Sequence, residues 1–433
     1  MPLNIPDPTF ERVVIVGGGF AGLTLARQLA NTPYQVVLLD KNNYHQFQPL
    51  FYQVAMAGLE PSSIVFPFRK VFQKCDNVLF RVAEVTEILT AENALMTDKG
   101  RMKYNHLVIA VGADTNYYGN QKVAEYAIPM KSVAEALFLR NAILDDYEKA
   151  LLCSDENERE SLMDIVIVGG GPTGVEVAGA LAEMRENVMP KEYKELNYKG
   201  IDIYLIQSGD ILLKGMSDNA GIQAEKFLQK MGIIIHKNCL VTDYDGEIVT
   251  VKENTTQTIS TIRSKKVIWA AGIIGNALNG MPKTAYGAGR RLKINALHQV
   301  EGFDNIYALG DIALLCEGKF DKGHPQVAQV AIQMGKNLAN NFKNRLKKKP
   351  EQPFAYRDMG SMATVGRHKA VVDLSFWKFQ GVFAWFIWLF VHLFALIGLK
   401  NKVFVFINWL WSYMTYDQAL RLIIRPRIKN RAV

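Results

Sequence analysis

Val13-Val14-Ile15-Val16-Gly17-Gly18-Gly19-Phe20-Ala21-Gly22 decides the fold of this chain. Four β-branched apolar residues in a row, with no polar alternation, describe a parallel strand buried on both faces. The glycines follow at once, and an Ala/Leu-rich helix runs from Leu23 to Leu29. Gly17 permits the tight turn, Gly18 continues it, Gly19 lets a pyrophosphate approach the backbone, and Gly22 packs helix on strand. Phe20 and Ala21 belong to the turn, and the first N–H groups and positive dipole end of the helix that follows suit phosphate. Val36 to Leu39 form the next strand, which ends in Asp40, 18 residues beyond Gly22. A carboxylate there accepts hydrogen bonds from a ribose.

The pattern returns 152 residues later. Asp164 to Val168 lead into Gly169-Gly170-Gly171-Pro172-Thr173-Gly174, and the helix is predicted over Val175 to Met184. Ile201 to Ile206 make the following strand, but it ends in Gln207 instead of an acid. Two complete fingerprints imply one site for FAD and one for a nicotinamide nucleotide. Leu107 to Gly112 and Val267 to Gly272 are two further strands ending in glycine, so Gly112, Ala271 and Gly272 bring backbone close to the cofactors. Asn305 to Asp311 runs a strand into Gly-Asp, which resembles the Gly-Asp of two-dinucleotide flavoproteins and so implies that Asp311 hydrogen-bonds the ribityl–phosphate arm of a flavin. Lys41 and Val85 complete the expected flavin contacts.

The motif order resembles the two-dinucleotide-binding-domain flavoproteins over residues 12–345. That resemblance implies an α/β fold with two Rossmann-like dinucleotide-binding domains, the FAD domain discontinuous, and a C-terminal amphipathic helical membrane anchor. The expected limits are 1–120 and 286–350 for FAD, 121–285 for NAD(P)H, and 351–433 for the anchor. Where the disulfide reductases of this superfamily carry a redox cysteine pair, the chain reads Asn42 to Leu50 without cysteine. Electrons need another acceptor.

Asn43-Tyr44-His45-Gln46-Phe47-Gln48-Pro49-Leu50-Phe51-Tyr52-Gln53-Val54-Ala55 resembles a signature of the type II NADH dehydrogenases, single-subunit NADH:quinone oxidoreductases. Gly171 to Gly179 is similar to theirs as well. Ala328-Gln329-Val330-Ala331-Ile332-Gln333 resembles their AQxAxQ quinone-site motif, and Ala384-Trp385-Phe386-Ile387-Trp388 with Val391-His392-Leu393 resembles the C-terminal region of bacterial members. The resemblance implies hydride transfer from NADH to non-covalent FAD, then two-electron reduction of ubiquinone or menaquinone, without proton pumping. It also suggests a homodimer.

Candidate roles follow residue by residue. Glu176, read as lying on the first turn of the second nucleotide helix, is expected to orient NADH or handle a proton. Gln329 and Gln333, at i and i+4 on a helix opened by His324-Pro325, share one face. With Ala328 giving close backbone access, they suit the flavin ring and a quinone carbonyl. Lys369 is a charge or proton partner. Neutral Gln207 removes the repulsion that an acid would exert on a 2′-phosphate, so NADH use with NADPH tolerance is expected.

Composition narrows the alternatives. Four cysteines lie far apart with no metal-ligand spacing, and no metal site is expected. The first ten residues show no signal peptide, which suggests a cytoplasmic main body. The formal charge of +8 is uneven: residues 371–433 hold eight Lys/Arg against two Asp, and five of the six Trp. Between Phe376 and Tyr416, 15 of 41 residues are aromatic. Phe379 to Leu399 is long enough to span a bilayer, but basic residues flank it on both sides and the aromatic load is interface-like. The favoured reading is a helical pair lying in one leaflet at the cytoplasmic face of the cell membrane. Basic Lys343 to Lys349 closes a helix and is no nucleic-acid footprint. Sulfide:quinone oxidoreductase, a soluble ferredoxin or rubredoxin reductase, and a non-enzymatic NAD(P)H sensor are the rival functions.

Overall fold

A computed structural model describes residues 3–415 and 421–424. The end of the expected anchor, 425–433, lies outside the described residues. Contacts divide the chain into two compact units. The first comprises Met1–Gln46, Val65–Asp114 and Ile273–Asp358, and the second Phe47–Ile64, Thr115–Gly272 and Met359–Val433.

In the first unit, five parallel strands lie in the order Ile306–Ala308, His106–Ile109, Arg12–Val16, Gln35–Asp40, Val78–Val82. The central strand is buried at all five positions, as its unbroken apolar run requires. The helix Phe20–Leu29 covers one face, beginning three residues before the expected Leu23. The helix Ala328–Leu346 packs against it so closely that a Cβ on Gly335 would crowd the Ala21 carbonyl oxygen. Its start is later than the sequence suggests. Pro325 lies outside the helix, and Gln326 donates instead to the Asp311 carbonyl at 2.8 Å. A small antiparallel sheet, Val85–Leu89 with Ala94–Thr97 and Gly100–Lys103, also belongs to this unit.

The second unit repeats the plan. Its parallel order is Ile128–Pro129, Val267–Trp269, Ile165–Val168, Ile203–Ile206, Ile234–His236. The helix Pro172–Asn187 follows the glycine turn. Its Gly179 faces the carbonyl of Val365, where any Cβ would overlap. That close approach seats a three-stranded antiparallel sheet, Ser361–Gly366, Lys369–Asp373 and Lys378–Gln380, on the nucleotide helix. The sequence reading places this stretch at the beginning of the anchor and singles out Lys369 in it, but predicts no sheet.

Two helices follow, Val382–Ala395 and Leu399–Thr415. The uncharged run from Phe379 to Leu399 is therefore not one helix. Phe379 belongs to a strand, and the chain turns at Gly398, whose φ of +83° suits glycine. Lys400 and Lys402 lie inside the second helix, not between the two. Among the described residues no helix is long and apolar enough to cross a membrane. Ala384 packs with Ala370 and Val372, which folds the first helix back onto the sheet. The opposite side leaves Phe383, Phe386, Phe390 and Phe394 exposed, together with Phe404, Ile407 and Trp411 of the second helix.

Candidate functional site: two glycine turns and an acidic cleft

Both glycine turns are built alike. Gly17 and Gly169 have φ of +100° and +111°, and a Cβ on either would run into the carbonyl of a neighbouring strand, Ala110 or Ala270. Gly22 and Gly174 lie against the carbonyl oxygens of Gly17 and Gly169 with no room for a side chain. Gly19 and Gly171 are the helix N-caps, and the space beyond each is open. Neither helix has a side-chain cap or an acid in its first turn. The orphan N–H groups and the positive dipole end thus face open space, which fits a pyrophosphate in each turn.

The strand-end residues brace these turns. Gly18 N–H donates to Asp40 Oδ2 at 2.7 Å, and Asn42 N–H donates to Asp40 Oδ1 at 2.7 Å. Burial raises the Asp40 carboxyl above its ordinary value, while those two N–H groups and Lys41 oppose the shift. On the other turn Gly170 N–H donates to Gln207 Oε1 at 2.9 Å, and Gln207 Nε2 reaches the Ile211 carbonyl at 3.4 Å. Gln207 thus takes the place of the acid in the fold. A structural contributor outside the predicted set is His45, whose Nδ1 lies 3.0 Å from the Gly18 carbonyl. Its ring meets Phe20 edge-on at 5.2 Å, and burial pushes its pKa down to about 4. Neutral at pH 7, His45 donates from Nδ1 to Gly18. The Asn43–Ala55 segment contained the signal, though not the role.

The other predicted flavin contacts lie in the first unit too. Gly112 has φ of +70° with open space beside it, and Asn276 holds the backbone at Val111 and Gly112. Val85 is buried at the start of its strand. Gly310, with φ of +71°, fits between Ala21 and Ala331 and carries Asp311. Ala328 and Gln329 open the long helix. Gln333 is engaged by the returning chain. Its Nε2 donates to the Arg357 carbonyl at 2.8 Å, and its Oε1 accepts from Arg357 N–H at 3.0 Å. Both ends of the amide are thus bound to backbone. In the second unit Tyr118 donates to the Ala271 carbonyl at 2.8 Å, and the Gly272 carbonyl accepts from Asn116.

Glu176 is the fifth residue of its helix, hence on the second turn and not the first. Dipole stabilisation at the helix start therefore does not explain it. It lines a cavity of about 130 Å³ together with Tyr52, Glu183, Arg367, Trp385 and Trp409, room for several waters. What surface Glu176 exposes opens into this cleft. Burial pushes its carboxyl up to about 8, against the lowering influence of Thr364 N–H at 3.5 Å and of the Trp388 indole. The Trp388 N–H approaches the carboxyl without completing a hydrogen bond. Glu183, seven residues on and so on the same helix face, accepts from Arg367 N–H. Burial raises Glu183 as well, opposed by that N–H and by the charges of Lys369 and Arg367. Lys369 is thus placed beside Glu183. Glu176 and Lys369 belong to the second unit, Gln329 and Gln333 to the first. Among the described residues no group of His, Cys, Asp or Glu could hold a metal ion.

Comparisons with known proteins identify the family. Residues 11–335 match the model of the pyridine nucleotide-disulphide oxidoreductases, and residues 359–415 match the NDH2 C-terminal domain. A type II NADH:quinone oxidoreductase of Mycobacterium tuberculosis is 34% identical over 419 residues, covering 94% of this chain and 89% of the relative. One from Staphylococcus saprophyticus is 27% identical, covering 83% and 89%. The solved structure of Plasmodium falciparum NDH2 with NADH superposes with a TM-score of 0.88 at 23% identity, over 96% of this chain and all of that one. The Aquifex aeolicus sulfide:quinone oxidoreductase is a weaker match, with a TM-score of 0.70 at 18% identity. The resemblance drawn from the motifs holds along the chain, which belongs to the type II NADH:quinone oxidoreductase family.

Proposed function

We propose that the chain oxidises NADH through a non-covalently held FAD and reduces a membrane quinone to quinol, as a respiratory enzyme that pumps no protons. The observation that carries this reading is the pair of uncapped glycine-turn helices, each ending a parallel strand and each open to a pyrophosphate. On this reading residues 1–120 and 286–350 bind FAD, 121–285 bind NAD(P)H, and 351–433 attach to the membrane. Gly17, Gly18, Gly19 and Asp40 would hold the flavin nucleotide, and Gly169, Gly171 and Gln207 the nicotinamide nucleotide. FAD when bound supplies the hydride acceptor and the two-electron donor. The protein's share is position and proton handling. Glu176 orients NADH or holds a proton, and Gln329 has an amide suited to a quinone carbonyl. Gln207 leaves a 2′-phosphate unrepelled, so NADPH is tolerated.

The exposed aromatic face of the two C-terminal helices supports a surface-bound anchor with its rings in one leaflet, and the cytoplasmic side is part of the same proposal. Homodimerisation is part of the same reading. In an anaerobic stopped flow, NADH should bleach the flavin and a quinone in liposomes should restore it. Bleaching by sulfide but not by NADH would refute the assignment. Phe390→Glu with Phe404→Glu should abolish turnover with liposomal quinone while sparing a water-soluble analogue; equal loss of both would remove the anchor role.

A further inference from the structure

The acidic cleft contains a hydrogen-bond chain whose direction is fixed. Trp409 Nε1 donates to Gln53 Oε1 at 2.7 Å, and Gln53 Nε2 donates to the Tyr52 hydroxyl at 2.7 Å. An indole N–H can only donate, so the Gln53 carbonyl oxygen must face Trp409. The Gln53 amide nitrogen must then face Tyr52. The hydroxyl therefore accepts from Gln53 and turns its own hydrogen elsewhere. Tyr52 is buried, packed edge-on against Trp388 at 6.2 Å, and it lines the same cavity as Glu176 and Glu183.

We propose that Tyr52 is a positioning residue for proton delivery, its hydroxyl set by Trp409 and Gln53 as a one-way donor toward Glu176, so that seating of the C-terminal helix orders the proton-donor side of quinone reduction. This rests on the NADH:quinone reading above. Quinone gains two electrons and two protons to become quinol. In one of those proton steps the O–H bond of Glu176 breaks, an O–H bond forms on the reduced quinone, and a carboxylate remains at Glu176. The Tyr52 hydroxyl then donates to that carboxylate, and water in the cleft returns the proton.

Burial, with the nearby Glu176 and Glu183 charges, raises Tyr52 well above its ordinary value, so it keeps its hydrogen at neutral pH. The side chains around it come from three places: Glu176 and Glu183 on the nucleotide helix, Arg367 on the hairpin, and Trp388 and Trp409 on the C-terminal helices. The arrangement gives Gln53 a role that no nucleotide motif requires. It also connects a helix with an exposed apolar face to a hydroxyl that lines the same cavity as Glu176.

The test uses the full-length, flavin-loaded protein. Tyr52→Phe removes the hydroxyl. Gln53→Glu reverses the chain, because a carboxylate accepts from both neighbours and draws the Tyr52 hydrogen away from Glu176. Trp409→Phe keeps the ring and frees the Gln53 amide to flip. Flavin reoxidation by quinone should slow about tenfold in the first two variants and about threefold in the third, with flavin reduction by NADH unchanged. The infrared C=O band of protonated Glu176, identified by its loss in Glu176→Gln, should move to higher frequency in all three. Unchanged reoxidation overturns the proposal whatever the band does. Slower reoxidation with the band unmoved also overturns it, because the residues would then merely shape the cleft. Loss of NADH-driven flavin reduction in the unsubstituted protein would instead sink the NADH:quinone reading.

Discussion

The two glycine turns differ not in backbone but in what holds them. In the first, Gly18 is gripped by two titratable side chains, Asp40 at its N–H and His45 at its carbonyl. In the second, Gly170 is gripped by neutral groups, the Gln207 amide at its N–H and the Leu213 N–H, at 2.8 Å, on its carbonyl. One step further along each helix the contrast reverses. Thr24 and Glu176 occupy equivalent positions, 152 residues apart. Thr24 donates to the Phe20 carbonyl of its own helix at 2.6 Å, whereas Glu176 opens into the acidic cleft. The first turn places its titratable groups, Asp40 and His45, around the phosphate cradle that the proposed function gives to the flavin nucleotide. The second keeps its cradle neutral and places its titratable group, Glu176, beyond it; in the proposed function this is the turn of the nucleotide that leaves after each turnover.

Matched glycine substitutions test that division most severely. Gly17→Val and Gly169→Val each force a branched residue into positive φ against a carbonyl, costing roughly 3 kcal/mol or more. Gly17→Val should purify without flavin absorbance. Gly169→Val should keep its flavin and raise the KM for NADH at least about a hundredfold. If both variants lose flavin equally, the two turns do not divide the nucleotides between them.

Glu176→Gln against Thr24→Val comes next. The first should slow flavin reduction by NADH about tenfold or more in the stopped flow, and the second by less than about twofold. The pH dependence has a definite sign. The folded carboxyl titrates near 8 instead of 4.5, so its protonated form is favoured in the native state. Its contribution to stability is complete below about pH 4.5 and is lost as pH rises to about 8, on the order of a few kcal/mol. Denaturant unfolding of Glu176→Gln should lack that decline; parallel curves for the two proteins would show that the carboxyl is not held protonated.

Gln207→Glu addresses the charge of the second cradle. The carboxylate can still accept from Gly170 N–H while repelling a 2′-phosphate. The NADH over NADPH ratio of kcat/KM should rise about tenfold, roughly 1.4 kcal/mol. A starting preference for NADH above about a thousandfold would already remove the idea that Gln207 admits NADPH.

These contrasts show why some parts of the molecule were legible in sequence and others not. A glycine turn is a local necessity: Gly17 and Gly22 leave no space for a Cβ, so the motif reports its own geometry. The two parallel sheets follow from the same apolar runs. The cleft around Glu176 depends instead on Tyr52, Thr364 and Trp409, far apart in the chain, and no spacing connects them. Gln333 shows the converse limit. Its i, i+4 relation to Gln329 is real, yet its amide is bound at both ends to Arg357, which a helical face cannot reveal. The C-terminal region was readable as aromatic and basic, but its sheet was not. Gly179 and Val365 meet only once the nucleotide helix is formed.

His45 gives the smallest effect at neutral pH and the sharpest check on the first cradle. Replacing it with Ala removes one buried hydrogen bond to the Gly18 carbonyl, about 1 kcal/mol, or roughly fivefold in flavin affinity. The larger signal lies in acid. The folded ring titrates near 4 instead of 6.5, so its neutral form is favoured in the native state. The stabilisation is complete above about pH 6.5 and is lost as pH falls toward 4, where the ring must charge inside the fold. Flavin release, followed by fluorescence, should therefore rise between those limits in the unsubstituted protein and stay flatter in His45→Ala. The second cradle is braced by Gln207 and a backbone N–H, neither of which titrates. Nicotinamide affinity should not share the transition, and if it does, the contrast between a charged and a neutral cradle is wrong.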